Sequence, residues 1–376
     1  MAVSIPARRA DTGIMTDSTA PPASSVPDTP TLLAALQLAA RAPSVHNSQP
    51  WRWEFDGTRL DLFRDDDRLL TAADPQGRQL VISCGAMLHH MRTALAARGW
   101  HTDTQRVPVA TRPDLLATIT FRAWPDPPAG VMTRAQAIER RHTDRLPMIP
   151  PPRLGELVHT ARMLASPHDV ELDVLDDSAR PLLAAASEHA DANRRYDMDY
   201  QTELHWWAGH SGTNEGVPGT ALASDAEAAH VPIARKFPSA AHARRRGDIH
   251  DQAALLVLSS PGHTVSDWLH VGEALSAVLL ECTSMGLATC ALTHITELPA
   301  ARESIRGALT RAGIPQVVLR VGAAPAETTE QPPTPRRPVN EILTVRDHPA
   351  SPAGGSHTRS PDGDRTNVTM SRPGPL

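Results

Sequence analysis

Cysteine is scarce in this 376-residue chain: Cys84, Cys282 and Cys290 are too few and too scattered for a disulfide framework or a zinc knuckle. An odd cysteine count suits a reducing compartment. Lysine is scarcer still, with Lys236 the sole one among 37 basic residues, so the basic character is almost wholly arginine. A GC-rich genome accounts for that bias, and arginine abundance alone carries no functional weight. There is no basic excess either, since the formal charge is −5 and the pI about 6.4, which argues against an electrostatic nucleic-acid binder. Long apolar runs are missing. The best candidate for a membrane span, 271–292, is interrupted by Glu273 and Glu281, so no membrane partner is expected. Arg8 and Arg9 are not followed by an apolar stretch, so residues 1–28 do not read as a signal peptide, and a cytoplasmic protein is expected. Met1 and Met15 are equally good starts. No Gly-x-Gly-x-x-Gly follows a strand and opens a helix, so a nicotinamide, if used, is not held in a dinucleotide fold.

What is present in quantity is proline, 35 residues, alongside 40% hydrophobic residues. Proline is excluded from helix interiors and central strands, so it marks tails, turns and boundaries. The length suggests roughly two to three domains of about 150 residues. Residues 1–28 and 348–376 read as disordered tails, too poor in apolar periodicity to offset their ordering entropy. Between them the spacing predicts a helix over 31–41, a hairpin of strands 51–55 and 59–63 around Asp56-Gly57, a largely buried helix over 79–98 ending at Gly99, and a strand over 116–123. The proline joint at 125–128 separates a first half, 29–125, from a second, 126–347. The second is predicted to hold helices over 133–141, 153–165, 178–207 and 271–285 and strands over 170–175, 253–259 and 316–321. A long irregular segment, about 208–247, reads as a cover or as disorder. The mixture is α+β rather than strict βαβ alternation.

Three clusters carry chemistry. Arg41-Ala42-Pro43-Ser44-Val45-His46-Asn47-Ser48-Gln49-Pro50-Trp51 packs polar groups between two prolines after a helix, a rigid loop able to present several donors to a flat heteroaromatic ligand. The same residues also suit a helix C-cap and turn. Arg140-Arg141-His142-Thr143-Asp144-Arg145 suits a phosphate, because guanidinium binds its oxygens bidentately; it also suits a solvated basic helix end. Pro335-Arg336-Arg337-Pro338 alone is a basic patch on an extended linker.

Together these clusters, with a helix ending Gly286-Leu287, resemble the FMN-dependent nitroreductase family over most of residues 30–345. The match is nearest to its Acg-type branch, in which two nitroreductase-like halves are fused. The resemblance implies an α+β nitroreductase-like fold with the two halves forming an intramolecular pseudo-dimer, which removes the usual need for a homodimer. It implies that Arg141, Thr143 and Arg145 hold the FMN phosphate with Arg337 and Arg336, and that His142 and Gln49 belong to the same binding segments. Ser44 and Asn47 are then expected at the ribityl chain and the ring, and Leu292 and Thr293 beside flavin N5. Where family members often carry an acidic residue near N5, this chain has Thr293-His294. The first half lacks the arginine motif and the second lacks the Pro-Ser-x-x-Asn loop, so one complete FMN site per chain is expected, with its symmetry-related counterpart empty.

Two functions follow from that resemblance. One is an FMN-binding oxidoreductase in which NAD(P)H reduces the flavin and a small-molecule acceptor, a nitro compound or quinone, reoxidises it; the flavin rather than a side chain carries the chemistry. The other is a lidded flavin-sequestering protein with little turnover. Trp206-Trp207 suits either a flavin cap or burial against a helix end. Gly209-His210-Ser211-Gly212-Thr213 lacks the final glycine and preceding strand of a nucleophile elbow. The histidines of 205–250 lack metal-ligand spacing, so no metal is expected, and Arg244-Arg245-Arg246 reads as a solvated loop run.

Overall fold

Asp28 opens the first helix, α1 (Thr29–Ala39), by accepting a hydrogen bond from the Thr31 amide, with Pro30 in the first turn. This computed structural model describes residues 25–209, 214–238, 245–246, 248–325 and 333–346; apart from 25–28, the two tails expected from the sequence lie outside the described residues. Strands β1 (Trp51–Phe55) and β2 (Leu60–Arg64) form the expected hairpin. Its turn is held by the Asp56 carboxylate, which accepts from the Thr58 and Arg59 amides, with Gly57 at a φ of 89°. Helix α2 (Arg78–Ala96) follows, then Gly99 at a φ of 81°, β3 (Trp100–Arg106) and β4 (Leu115–Ala123).

The second half begins with α3 (Ala129–Arg140), α4 (Leu154–Ala165) and β5 (Glu171–Leu175). Next come α5 (Arg180–Arg194), α6 (Met198–Trp207) and the short α7 (Asp225–Ala228). Strand β6 (Ala254–Ser260), helix α8 (Val265–Ser284) and β7 (Ala288–Leu292) lead to α9 (His294–Glu297), α10 (Pro299–Gly307) and β8 (Ile314–Gly322). The chain closes with α11 (Val339–Ile342) and β9 (Leu343–Val345).

The two sheets repeat one plan. The first runs β3-β4-β2-β1-β9 and the second β7-β8-β6-β5, so the first four strands of each correspond in order. In both halves the long helix lies between the second and third strands and is followed by a positive-φ glycine, Gly99 in one and Gly286 in the other. The same interval separates Gly85 from Gly99 and Gly272 from Gly286. Gly85 and Gly272 are where α2 and α8 touch: a Cβ on Gly85 would lie 2.1 Å from the Leu269 carbonyl oxygen, and one on Gly272 2.0 Å from that of Ile82. Only glycine permits this backbone approach. One hydrophobic cluster runs through the contact, joining Leu36, Trp53 and Leu88 to Ala161, Leu256 and Leu319. The halves therefore share a core, and the described residues through Arg346 group as one unit.

Several elements depart from the sequence expectation. β3 is polar and β7 short, and each is a sheet edge, where alternation is weakest. The helix expected over 178–207 breaks at Arg195–Asp197, where Asp197 caps α6. α8 starts at Val265 rather than Val271, because Thr264 and Asp267 form a capping box. The segment 208–247, expected to be irregular, holds α7 with its own Ser224–Glu227 box. β9 leaves the second half altogether and pairs parallel with β1, Leu343 opposite Trp53. No helix among the described residues is long and apolar enough to cross a membrane.

Candidate functional site

Between α1 and β1 the chain takes an unusual path. His46, Asn47 and Gln49 all have positive φ, of 50°, 57° and 51°, each costing roughly 1–2 kcal/mol outside glycine. Such strain persists only where its surroundings over-determine it. Here the Ser44 hydroxyl accepts from the Gln49 amide at 3.0 Å, and Ser83 accepts from the Val45 amide at 3.2 Å. Fully buried Gln49 donates to the Asn214 carbonyl at 2.8 Å and accepts from the Arg337 amide at 2.9 Å. Asn47 donates to the carbonyls of Gly216 and Pro335 at 2.9 and 3.1 Å. The loop is thus bolted both to the segment after α6 and to the C-terminal arm.

The loop walls a cavity of about 630 Å³, within the usual range for small-molecule sites. Pro43, Ser44 and His46 form one side, Ser83 and Leu275 of the two central helices the floor, and Thr143 and Arg145 another side. The stretch Cys290–His294, where β7 ends, lines it as well, and Ala223–Phe237 covers it. His46 packs edge-on against Phe237 of the cover, with ring centroids 5.5 Å apart. Neither of its ring nitrogens has a hydrogen-bond partner among the described residues. Burial, with Arg235 and Arg145 nearby, holds this imidazole well below its ordinary pKa, so it is neutral.

The arginine run 140–145 leaves α3 at Arg141 and divides between two environments. Thr143 and Arg145 reach the cavity, whereas buried Arg141 joins Arg41 and Arg336. This trio touches carbonyls: Arg141 and Arg336 donate to the Arg41 carbonyl at 3.2 and 3.1 Å, Arg336 also to that of Ala40 at 2.9 Å, and Arg41 to that of Glu139 at 3.3 Å. Among the described residues no carboxylate pairs with any of them. Burial and mutual repulsion push Arg336 down to about 9 and Arg141 to about 10. The Nε atoms of Arg41 and Arg141 are buried without partners. Arg41 lies two residues before Pro43 and Arg141 two before Thr143, so the trio adjoins the cavity wall.

The structure therefore gathers Ser44, Thr143, Arg145, Leu292 and Thr293 at the cavity, with Arg141 and Arg336 beside it. Asn47 and Gln49 are instead loop bolts outside the cavity wall. Arg337 is engaged by Asp65 at 3.4 Å and Glu341 at 3.5 Å. His142 is exposed, its Nδ1 3.1 Å from the Arg140 carbonyl oxygen. Trp206 is exposed and Trp207 packs beside Leu204, so the aromatic over the cavity is Phe237. Arg245 and Arg246 are not a solvated run. Arg245 pairs with buried Glu227 at 3.0 Å, and buried Arg246 with buried Asp144 at 2.8 Å. Residues 210–213, which contain the Ser211 motif, lie outside the described residues, as does Arg244. Arg235 was not singled out in the sequence, and Arg41, His46 and His294 were named there without a role of their own; the left-handed geometry that turns His46 inward has no local signature.

The second half differs at the corresponding loop. The loop between α4 and β5 is only residues 166–170, against 40–50 in the first half. Its His168 sits 3.7 Å from fully buried Glu273, which also binds Arg92 at 2.8 Å and Arg106 at 2.5 Å. The corresponding loop of the second half thus borders a cluster of two arginines and a neutral histidine around one buried carboxylate.

No protein-family profile matches the sequence. Over 319 residues the chain is 44% identical to a Mycobacterium tuberculosis protein named "Putative NAD(P)H nitroreductase acg", an alignment covering 85% of this chain and 96% of that one. It is 37% identical over 320 residues to a second "Putative NAD(P)H nitroreductase" of the same species, covering 84% and 92%. Among solved structures, one titled a "putative nitroreductase" from Anabaena variabilis aligns with 80% of this chain and 90% of its own, at a TM-score of 0.45 and 10% identity.

Proposed function

The chain belongs to the Acg-type NAD(P)H nitroreductase family, and we propose that its cavity binds one FMN for NAD(P)H-dependent, two-electron reduction of a small acceptor, a nitro compound or quinone. The observation that carries this reading is the trio of buried Arg141 with half-buried Arg41 and Arg336, three clustered cations that no carboxylate among the described residues pairs with, at the edge of a ligand-sized cavity. Such an arrangement costs stability unless an anion completes it. A phosphate dianion suits it, because guanidinium groups bind phosphate oxygens bidentately.

In this reading the trio holds the phosphate, and Thr143, Arg145 and Ser44 orient the rest of the cofactor. His46 and Leu292-Thr293 border the ring. Bound FMN supplies hydride transfer at N5. The chain's contribution is orientation, positive charge and exclusion of water: Asn47 and Gln49 lock the loop, and Phe237 with its neighbours closes the roof.

A second reading, a flavin-sequestering protein with little turnover, is favoured by how firmly the cover is held. Arg246 pairs with Asp144, Arg68 pairs with Glu215 at 2.6 Å, and Asn47 donates to the Gly216 carbonyl. Anaerobic reduction separates the readings. Bleaching of the 450 nm flavin band by NADPH or NADH supports the oxidoreductase; bleaching by dithionite alone supports sequestration. A preparation that neither carries nor takes up FMN sinks both, and two FMN per chain contradicts the single site.

A further inference from the structure

His294 forms part of the cavity wall, and its ring is held from behind by Ser187 of α5. α5 belongs to the insertion between β5 and β6, which has no counterpart between β1 and β2. The serine hydroxyl has one proton to give. It donates that proton to the Ala234 carbonyl at 2.9 Å. At His294 Nε2, 2.8 Å away, the same oxygen must therefore accept, so Nε2 carries the imidazole proton. A second proton on the ring is opposed by burial and by Arg235, the charged group acting on it. Nδ1 is left as a bare lone pair, with no hydrogen-bond partner among the described residues, on a side chain only 2% exposed.

Buried acceptors without donors are uncommon and costly, and a ligand in the adjoining cavity is a source of the missing donor. We propose that Ser187 fixes His294 in the Nε2–H tautomer, and that His294 Nδ1 thereby selects acceptors bearing an N–H or O–H group, such as amino- or hydroxyl-substituted nitroarenes and quinones. Ser187 is a positioning residue and His294 the specificity determinant. The selection of acceptors rests on the redox reading above; the tautomer does not.

Spectra of ¹⁵N-histidine-labelled, FMN-loaded protein at pH 7 read the tautomer directly, with the His294 signal assigned by its loss in His294→Phe. A neutral ring protonated at Nε2 is expected in the native protein and in Ser187→Thr, and a mixture of tautomers in Ser187→Ala. In parallel, native protein should bind 4-nitroaniline about tenfold more tightly than N,N-dimethyl-4-nitroaniline, which lacks the donor. Ser187→Thr should keep that preference, and Ser187→Ala and His294→Phe should lose most of it. An imidazolium or an Nδ1–H ring in native protein overturns the assignment. So do equal native affinities, or an undiminished preference in Ser187→Ala. Protein that shows the tautomer and the preference in the absence of FMN uptake supports this assignment while sinking the flavin reading.

Discussion

The cavity and the Glu273 cluster both draw side chains from α2 and α8, and they treat charge in opposite ways. At the second cluster, Arg92 and Arg106 both converge on the buried Glu273 carboxylate, with His168 beside it, so each arginine has a carboxylate partner within the chain. At the cavity, Arg41, Arg141 and Arg336 face one another over carbonyl groups alone. A charge cluster that closes on itself contributes to the fold; one left open is complete only with an anion from outside. The difference also fits the loops, since the second half has 166–170 where the cavity has the long strained loop 40–50.

The sharpest way to break this contrast is at Glu273. Glu273→Ala strands two arginines in a buried cluster, and should cost about 3–5 kcal/mol in chemical denaturation, with FMN stoichiometry of the folded fraction unchanged. Arg336→Ala and Arg141→Ala should behave in the reverse sense. Each should weaken FMN binding by roughly ten- to a hundredfold, while the stability of the FMN-free protein stays within about 1 kcal/mol, because repulsion is lost along with the carbonyl bonds. A large fall in FMN-free stability with unchanged flavin affinity would reverse the roles given to the two clusters.

Gly272→Ala tests the joint between the regions. Its Cβ would meet the Ile82 carbonyl oxygen at 2.0 Å, so the helices must part, at a cost of roughly 1–3 kcal/mol measured by thermal unfolding.

A further effect is expected on acid stability. Burial holds His46, His89, His90 and His294 well below 6.5, and pushes His168 down to about 4. Between pH 4 and 6.5 the unfolded chain therefore binds more protons than the folded one. Stability is fully present above that window and falls as pH drops through it, by about 1.4 kcal/mol per pH unit for each such histidine. Asp74, raised to about 6 by burial, and Asp191, also raised by burial, work in the opposite direction but are two groups against five. Melting curves at pH 7 and 5 should show the loss. His168→Asn should reduce it without touching flavin occupancy, which assigns that share to the Glu273 cluster.

Much of this was legible where neighbouring residues carry the signal. The hairpin follows from Asp56-Gly57, the buried helix from its apolar run, and two of the segments that line the cavity are the polar loop at 42–51 and the arginine run at 140–145. What a motif does not state is which way each side chain faces. Past the end of α3, Thr143 and Arg145 reach the cavity while His142 is exposed. Left-handed geometry puts His46 in the wall, with Asn47 and Gln49 bolting the loop behind it. Arg245 and Arg246 look like a solvated run until buried Glu227 and Asp144 are seen to pair with them.

The sequence by itself determined the elements whose information is local: capped helices, the turn, the absence of a dinucleotide fingerprint and of a long apolar span, and the residue types offered to an anion. Only the tertiary structure decided that the C-terminal strand crosses to pair with β1, that two glycines far apart in the chain let α2 and α8 touch, and that one arginine cluster is closed by Glu273 while the other stays open. Those outcomes depend on pairings between distant segments and on the field of charges assembled around a buried point, and neither is written in any local stretch of residues.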